Sequence, residues 1–413
     1  MLRSSRATRI RPTVAGGAVA LLLALTASAC GGGSPEADDA SPSAEPTGTA
    51  SLRPAADPGA DGDVFDPDHA VAAPGPLKLP LYSADFLVVS DSTLPDSVIE
   101  RLRGLDDVRA VTPLSIASLS VEDRALTVAA VDPASYRRFT QQASAQADTV
   151  WDRLAGGEIA VAPRLRDILP ITDDGYLDLG EDEPTMHVGA YAPQVPSVDL
   201  VVNDRWGSTL GMTPHNAVLV STGMTAPDRV RKPLTRIVPA HSSIQGLDVV
   251  ARYGLDPSAV QNAVVVGSIA DAVGTYSYRV VGGRVVPDPG WVSSHIATEQ
   301  MPILGAMTCN KAIFPQLRAA LEEIVATGLS SKIHPGEYAG CFYPRFIAGT
   351  TTLSNHAFGL AFDLNVPGNQ RGTVGEMDRG VVAIFKKWGF AWGGDWSYTD
   401  PMHFELARLV RPG

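Results

Sequence analysis

The sequence predicts an α+β protein, in which a mixed α/β region precedes a C-terminal region of helices packed on a small antiparallel sheet. Three observations carry that expectation. Short apolar runs separated by turn residues fill positions 79–238. Two amphipathic helical patterns flank strand-like runs after position 309, and residues 31–76 hold hardly any large apolar side chain.

At 413 residues the chain is long enough for two domains with sizeable cores plus a tail. The net charge of −12 argues against nucleic acid as a main partner, because phosphate binding needs a basic surface.

The first thirty residues read as a processing signal. Arg3, Arg6, Arg9 and Arg11 precede an apolar run from Val14 to Leu25, which is too short to span a bilayer comfortably. The run ends Leu25-Thr26-Ala27-Ser28-Ala29-Cys30-Gly31. That ending resembles a bacterial lipoprotein signal. The resemblance implies lipidation of Cys30 and a protein exported to the outer face of the cytoplasmic membrane, within the cell envelope. A plain secretory signal with an incidental cysteine is the alternative. Residues 31–76, rich in Ala, Pro, Ser, Gly, Thr, Asp and Glu, cannot bury enough surface to offset their ordering entropy. They read as a disordered tether of about 46 residues, with a coil dimension of roughly 35–40 Å.

Setting Cys30 aside leaves Cys309 and Cys341, one even pair in an exported chain, where disulfides persist. A bridge between them would contribute roughly 3–4 kcal/mol on the chain-entropy model. Two buried free thiols are the other reading.

Positions 79–238 read as one mixed α/β extracytoplasmic domain. Ala84–Ser90 forms a strand, Leu94–Leu102 an amphipathic helix, and strands follow at Val108–Thr112, Ile116–Val121 and Leu126–Val131. Runs at 158–163, 186–190, 197–203 and 216–221 continue the pattern. Strand, helix, then short strands, with Asp107-Val108-Arg109-Ala110-Val111-Thr112-Pro113 and Val131-Asp132-Pro133, resembles the extracytoplasmic domains of MacB-like ABC permeases. That likeness implies a protein partner for this domain and brings no catalytic signature; His187 and His215 stand alone and read as structural. Residues 239–308 read as a connecting region, with a strand at 263–268 and a hairpin over 277–286 turning at Gly282-Gly283.

In residues 309–413, Leu317, Leu321, Ile324 and Val325 recur at helical spacing, and Gly328 ends that helix. A second helix is expected from Thr373 to Trp388, with Thr373 and Glu376 as a capping box. Segments 342–365 and 390–406 are strand-like. They carry Ser354-Asn355-His356-Ala357-Phe358-Gly359-Leu360-Ala361-Phe362-Asp363 and, forty residues on, Asp400-Pro401-Met402-His403-Phe404-Glu405. Two imidazoles and a carboxylate are three ligands of the kind an open zinc site uses, with a fourth position left for water.

Ser354-x-His356-x-x-Gly359-x-Ala361-x-Asp363, Trp392-Gly393-Gly394-Asp395-Trp396 and Asp400-x-x-His403-x-Glu405, in that order, resemble the M15 family of zinc peptidases. The likeness is closest to its L-alanyl-D-glutamate endopeptidases and D-alanyl-D-alanine carboxypeptidases. It covers about the last 100 to 110 residues. It implies a zinc DD-peptidase or hedgehog-like fold, Zn²⁺ as cofactor, and peptidoglycan stem peptides as substrate. His356, Asp363 and His403 match the metal ligands, Asp400 the general base, and Arg345 an arginine that binds substrate or stabilises the oxyanion. Asp400 before Pro401 is also a natural turn former. Ser354 is expected to bond a substrate carboxylate or to cap its turn, and Trp392 and Trp396 to line the groove or to pack. Asp395 is read as ordering the Gly393-Gly394 turn, and Glu405 as orienting a ligand histidine. A rival function is a catalytically idle, wall-binding or partner-docking lipoprotein.

Overall fold

Strand Ala110–Val121 is the longest strand among the described residues, and the other strands are ordered by what they pair with along it. In the computed structural model, residues 65–179 and 183–413 are described. The expected export signal, Cys30 and tether residues 31–64 lie outside them. The first half of Ala110–Val121 pairs antiparallel with Ala217–Ser221, which also pairs with Phe86–Val89, itself paired with Ser243–Gly246. The second half pairs antiparallel with Arg124–Val131 and parallel with Gln261–Val266. Beyond Arg124–Val131 come Leu200–Asn203, Ile159–Val161, Met186–Tyr191 and Tyr176–Leu177. On the opposite edge, Thr275–Val281 and Arg284–Pro287 form the hairpin expected at Gly282-Gly283. The mixed α/β character of this region agrees with the sequence reading.

Two expected strands, 108–112 and 116–121, are thus one. Pro113 does not break the run, because Thr112 and Leu114 on either side stay in register with Ala217–Ser221. Asp96–Arg103 is the first helix, and it buries Val98, Ile99 and Leu102 against Phe86, Val88, Val218 and Val220.

Residues 65–76 are not tether. Phe65 stacks on His187 at 5.0 Å, His69 on Trp206 at 3.6 Å, and the Val71 amide donates to Ala155. Two ring contacts and backbone pairing order a stretch whose composition alone cannot. His187 itself bonds Glu158 at 2.6 Å inside the sheet region.

After residue 288 the chain forms helix Pro289–His295, the hairpin Ile296–Met301 and Gly305–Asn310, and helix Phe314–Ala326. Helix Arg379–Lys387 follows, with the three-stranded antiparallel sheet Ala361–Asp363, His403–Leu406 and Phe390–Trp392. The second helix starts six residues later than its sequence suggests. Asp378 is its N-cap, accepting from Gly380 and Val381, whereas the Thr373 hydroxyl donates to Gln370 and Glu376 docks on Asn369. Segment 342–365 is mostly loop, with one 3₁₀ turn, Asn355–Phe358, ahead of Ala361–Asp363. The core of this C-terminal region takes in Phe358, Phe362, Phe385, Phe390 and Phe404, and continues through Tyr276 and Trp291 into the neighbouring sheet edge. No helix among the described residues is long and apolar enough to cross a membrane.

Asp256 shows how the sheet region is held. Burial pushes its carboxyl up, but bonds from the Ser258 hydroxyl and amide, Arg231 and the Gly246 amide outweigh this and hold it below the usual range. Its stabilising effect is therefore present above the unfolded-state value near 4 and is lost as pH falls through the folded value. Asp256→Asn is expected to lose about 2 kcal/mol in urea unfolding at pH 7, and the gap from the unaltered protein should narrow below pH 4. A gap independent of pH would contradict this account.

Candidate metal centre

The three-stranded sheet places two side chains opposite each other. Asp363 ends its strand in register with His403, and Ala361 is paired with Glu405 two residues along. Because side chains alternate across a strand, Asp363, His403 and Glu405 share one face, while Phe362 and Phe404 point into the aromatic core on the other.

The remaining histidine comes from the 3₁₀ turn Asn355–Phe358. Ser354 caps that turn by accepting from the His356 amide, and Gly359 ends it at φ +68°. A Cβ on Gly359 would stand 2.8 Å from the Asn310 nitrogen, so both backbone conformation and close approach require glycine here. The turn brings the His356 ring to 5.0 Å from that of His403, edge to face.

Both imidazoles have their outer nitrogen fixed. The Cys341 carbonyl accepts from His356 Nδ1 at 2.9 Å, which leaves Nε2 facing inward. Glu405 Oε2 accepts from His403 Nε2 at 3.0 Å, which turns Nδ1 inward. His356 Nε2 then stands 3.4 Å and His403 Nδ1 3.1 Å from Asp363 Oδ1. His356 Nε2 is buried and has no formed hydrogen bond among the described residues. Ligand atoms of His356, Asp363 and His403 lie within 4.8 Å of one another. An orphaned imidazole nitrogen beside a carboxylate and a second oriented imidazole fits a zinc ion, and the partners behind both rings are those that orient metal-binding histidines.

The electrostatics agree with the geometry. Burial pushes the Asp363 carboxyl up, yet the close approach and charge of His356 and His403 outweigh it and hold the group well below the usual carboxylate range. Burial disfavours protonated His403, but Asp123, Asp363 and Glu405 together raise its pKa well above the ordinary value. The centre is a pocket of net negative charge around two imidazoles, which suits a divalent cation.

Asp400 precedes His403 by one turn of chain, held by its amide's bond to the Gly393 carbonyl and its own carbonyl's bond to the His403 amide. Its Oδ1 is buried without a partner among the described residues, and its Oδ2 is 3.9 Å from Arg371. Burial raises the Asp400 pKa; His403 opposes and Asp363 reinforces, and the net value lies above the ordinary one. A carboxylate with one free oxygen and a raised pKa is suited to accept a proton.

The other expected site residues fall into different places. Trp396 lies half-buried with its ring 5.0 Å from His403. Trp392 is 4% exposed, donates to the Pro401 carbonyl and is covered by Arg379, so it packs under the Asp400 loop. Of the two expectations for Ser354, the structure shows the turn cap: the residue is fully buried and gives its hydroxyl to Asp123 at 2.6 Å, an internal contact in place of a substrate one. Arg345 is half-buried, with its carbonyl accepting from the Ser354 amide. Asp395 pairs with Lys386 instead of ordering the glycine turn. Asp123, Asn355 and Arg371 were not among the expected site residues, and nothing in local spacing marks them.

This constellation lies inside a recognisable segment. Residues 348–406 match the family model described as D-alanyl-D-alanine carboxypeptidase. The match covers the three expected ligands and Asp400, but not Arg345. No curated protein matches the chain. Among solved structures, the periplasmic region of MacB from Actinobacillus actinomycetemcomitans aligns over 41% of this chain and 92% of its own, at 10% identity and a TM-score of 0.26. That likeness is weak, as is the sequence resemblance, and carries no argument about function.

Cys309 and Cys341 form the expected disulfide. Because Cys341 also supplies the carbonyl that orients His356, the bridge supports the centre directly. A Cys309→Ala/Cys341→Ala variant is expected to lose about 3 kcal/mol in denaturant unfolding and to hold zinc more weakly in chelator competition. Unchanged zinc affinity would show that the bridge serves the fold alone.

Proposed function

We propose that the C-terminal region is a zinc-dependent peptidase acting on peptidoglycan stem peptides, of the D-Ala-D-Ala carboxypeptidase or L-Ala-D-Glu endopeptidase type. The observation that carries the reading is the convergence of His356 Nε2, Asp363 Oδ1 and His403 Nδ1, with the unpartnered Asp400 Oδ1 in the same loop system, within the segment matching the carboxypeptidase family. The region's small sheet and two helices suit the zinc DD-peptidase and hedgehog-like arrangement.

His356, Asp363 and His403 would hold the metal, which supplies Lewis acidity when bound. Asp400 takes a proton from the attacking water and hands it to the leaving amine, a transfer helped by its raised pKa. Trp396 bounds the site beside His403. Arg345 is the cation proposed for the developing oxyanion, an interaction worth a few kcal/mol in such sites. The disulfide supports an exported setting. Lipidation of Cys30 would hold the protein at the outer face of the cytoplasmic membrane, with its substrate within reach. The middle region is free to serve a protein partner.

Digestion of purified peptidoglycan with mass analysis of the products tests this function and identifies the bond. Hydrolysis should stop with a chelator and return with Zn²⁺. His356→Ala should lose both zinc and activity, and full hydrolysis by metal-free His356→Ala protein would overturn the proposal. Asp400→Asn should keep zinc while kcat falls by about 10²–10⁴-fold; an unchanged kcat would remove Asp400 from the chemistry. Peptidoglycan binding with no released product would favour the idle, docking lipoprotein.

A further inference from the structure

The support beneath the centre comes partly from the middle region. Strands Ala110–Val121 and Arg124–Val131 are joined by a two-residue turn, Glu122-Asp123, more than 220 positions before the matched segment. Glu122 has φ +42°, a conformation that non-glycine residues hold only where surrounding contacts dictate it. The tight two-residue hairpin itself calls for a positive φ at this position, and Glu122 pairs locally with Arg124 at 3.1 Å; further contacts come from the C-terminal region. The Glu122 carboxylate accepts from the Ser397 amide, and the Ala125 amide donates to the Leu353 carbonyl at 3.0 Å.

Asp123 is only 5% exposed. Its Oδ1 accepts from the Ser354 hydroxyl at 2.6 Å and the Asn355 amide at 2.9 Å, both at the start of the turn that bears His356. The Asn355 side chain donates to Ser120 Oγ at 2.8 Å and to Glu405 Oε2 at 3.0 Å. Glu405 Oε2 in turn holds His403 Nε2, from which Asp123 Oδ1 is 3.9 Å away. One buried chain of hydrogen bonds, several of them charge-assisted, therefore runs from the middle region to the turn that bears His356 and to the outer nitrogen of His403.

We infer that Asp123 is a positioning residue for the metal centre, and that the centre is complete only when the hairpin of the middle region is docked against it. The inference rests on reading His356, Asp363 and His403 as metal ligands. Asp123 lies on the Nε2 side of His403, away from the inward-facing Nδ1, so it acts through Ser354, Asn355 and Glu405. The same atoms could be grouped differently, since Asp123, His403 and Glu405 also have ligand atoms within 4.8 Å. A second cation there conflicts with the donors already in place. Ser354 and Asn355 both point protons at Asp123 Oδ1, and the Asn355 amide and His403 Nε2 point theirs at Glu405 Oε2.

The test uses the full chain and three variants. Asp123→Asn keeps the side-chain volume and removes the charge. Asn355→Ala cuts the same chain of bonds from the other side. Asp256→Asn is a control that weakens the sheet region through Arg231, Gly246 and Ser258, none of which bonds to a residue of the centre. Zinc affinity is read by competition with a chromogenic chelator, metal content by elemental analysis, and ligand geometry by the visible absorption of the Co²⁺-loaded protein. Asp123→Asn and Asn355→Ala should each bind zinc about 10–100-fold more weakly, with altered cobalt bands, at one metal per chain. Asp256→Asn should melt lower with affinity and bands unchanged. If Asp123→Asn or Asn355→Ala keeps the affinity and spectrum of the unaltered protein, the inference falls while the metal reading stands. Two metals per unaltered chain, dropping to one in Asp123→Asn, would also overturn it in favour of a second cation site. Unaltered protein that holds no zinc would overturn the metal reading itself.

Discussion

The pairing of Asp363 with His403 across the small antiparallel sheet is the constraint on which the rest depends. It fixes a carboxylate and an imidazole side by side on one face, at a spacing that loops could not guarantee. The aromatic residues on the opposite face are what make that register rigid, because a slip of one residue would turn Phe362 and Phe404 out of the core. Sheet packing and site chemistry are thus two faces of the same strands. His356 has only to be delivered to that preset pair, and a short capped turn ended by a left-handed glycine is sufficient.

Around this pair the polar groups are arranged so that each ring has one nitrogen committed outward and one inward. The outward commitments go to the Cys341 carbonyl and the Glu405 carboxylate, both buried. Burial makes each of these bonds stronger and each unmade bond more costly. That is why one orphaned nitrogen in the middle of an otherwise satisfied network is informative, and why Asp400, with its free oxygen, stands out from Asp395, which is paired at the surface.

The candidate site was legible in the sequence where its residues are close along the chain or joined by spaced blocks. His356, Asp363, Asp400 and His403 are all of this kind, as is the orienting role of Glu405. The strands of the middle region were legible for the same reason, since alternation and turn residues are local signals. What could not be read was anything set by distant partners. The helix starts at Arg379 and not Thr373 because Asn369 and Gln370 engage the segment before it. Residues 65–76 looked like tether by composition, yet Phe65 and His69 find rings on the sheet region. The sequence allows Ser354 to cap its turn, which it does, but its hydroxyl's own acceptor, Asp123, is 231 positions away and has no local signal.

The hairpin that carries Asp123 has a consequence for modularity. The boundary drawn by sequence similarity, around residues 348–406, cuts through a cluster whose bonds are shared with strands near position 120. An excised C-terminal segment would expose Ser354 and Asn355 to solvent and strip them of their partners Asp123 and Ser120. The matched segment is therefore not a transplantable cassette. Its inheritance is tied to that of the sheet beneath it, so the two stretches of chain should change in concert at their seam, however freely each varies elsewhere.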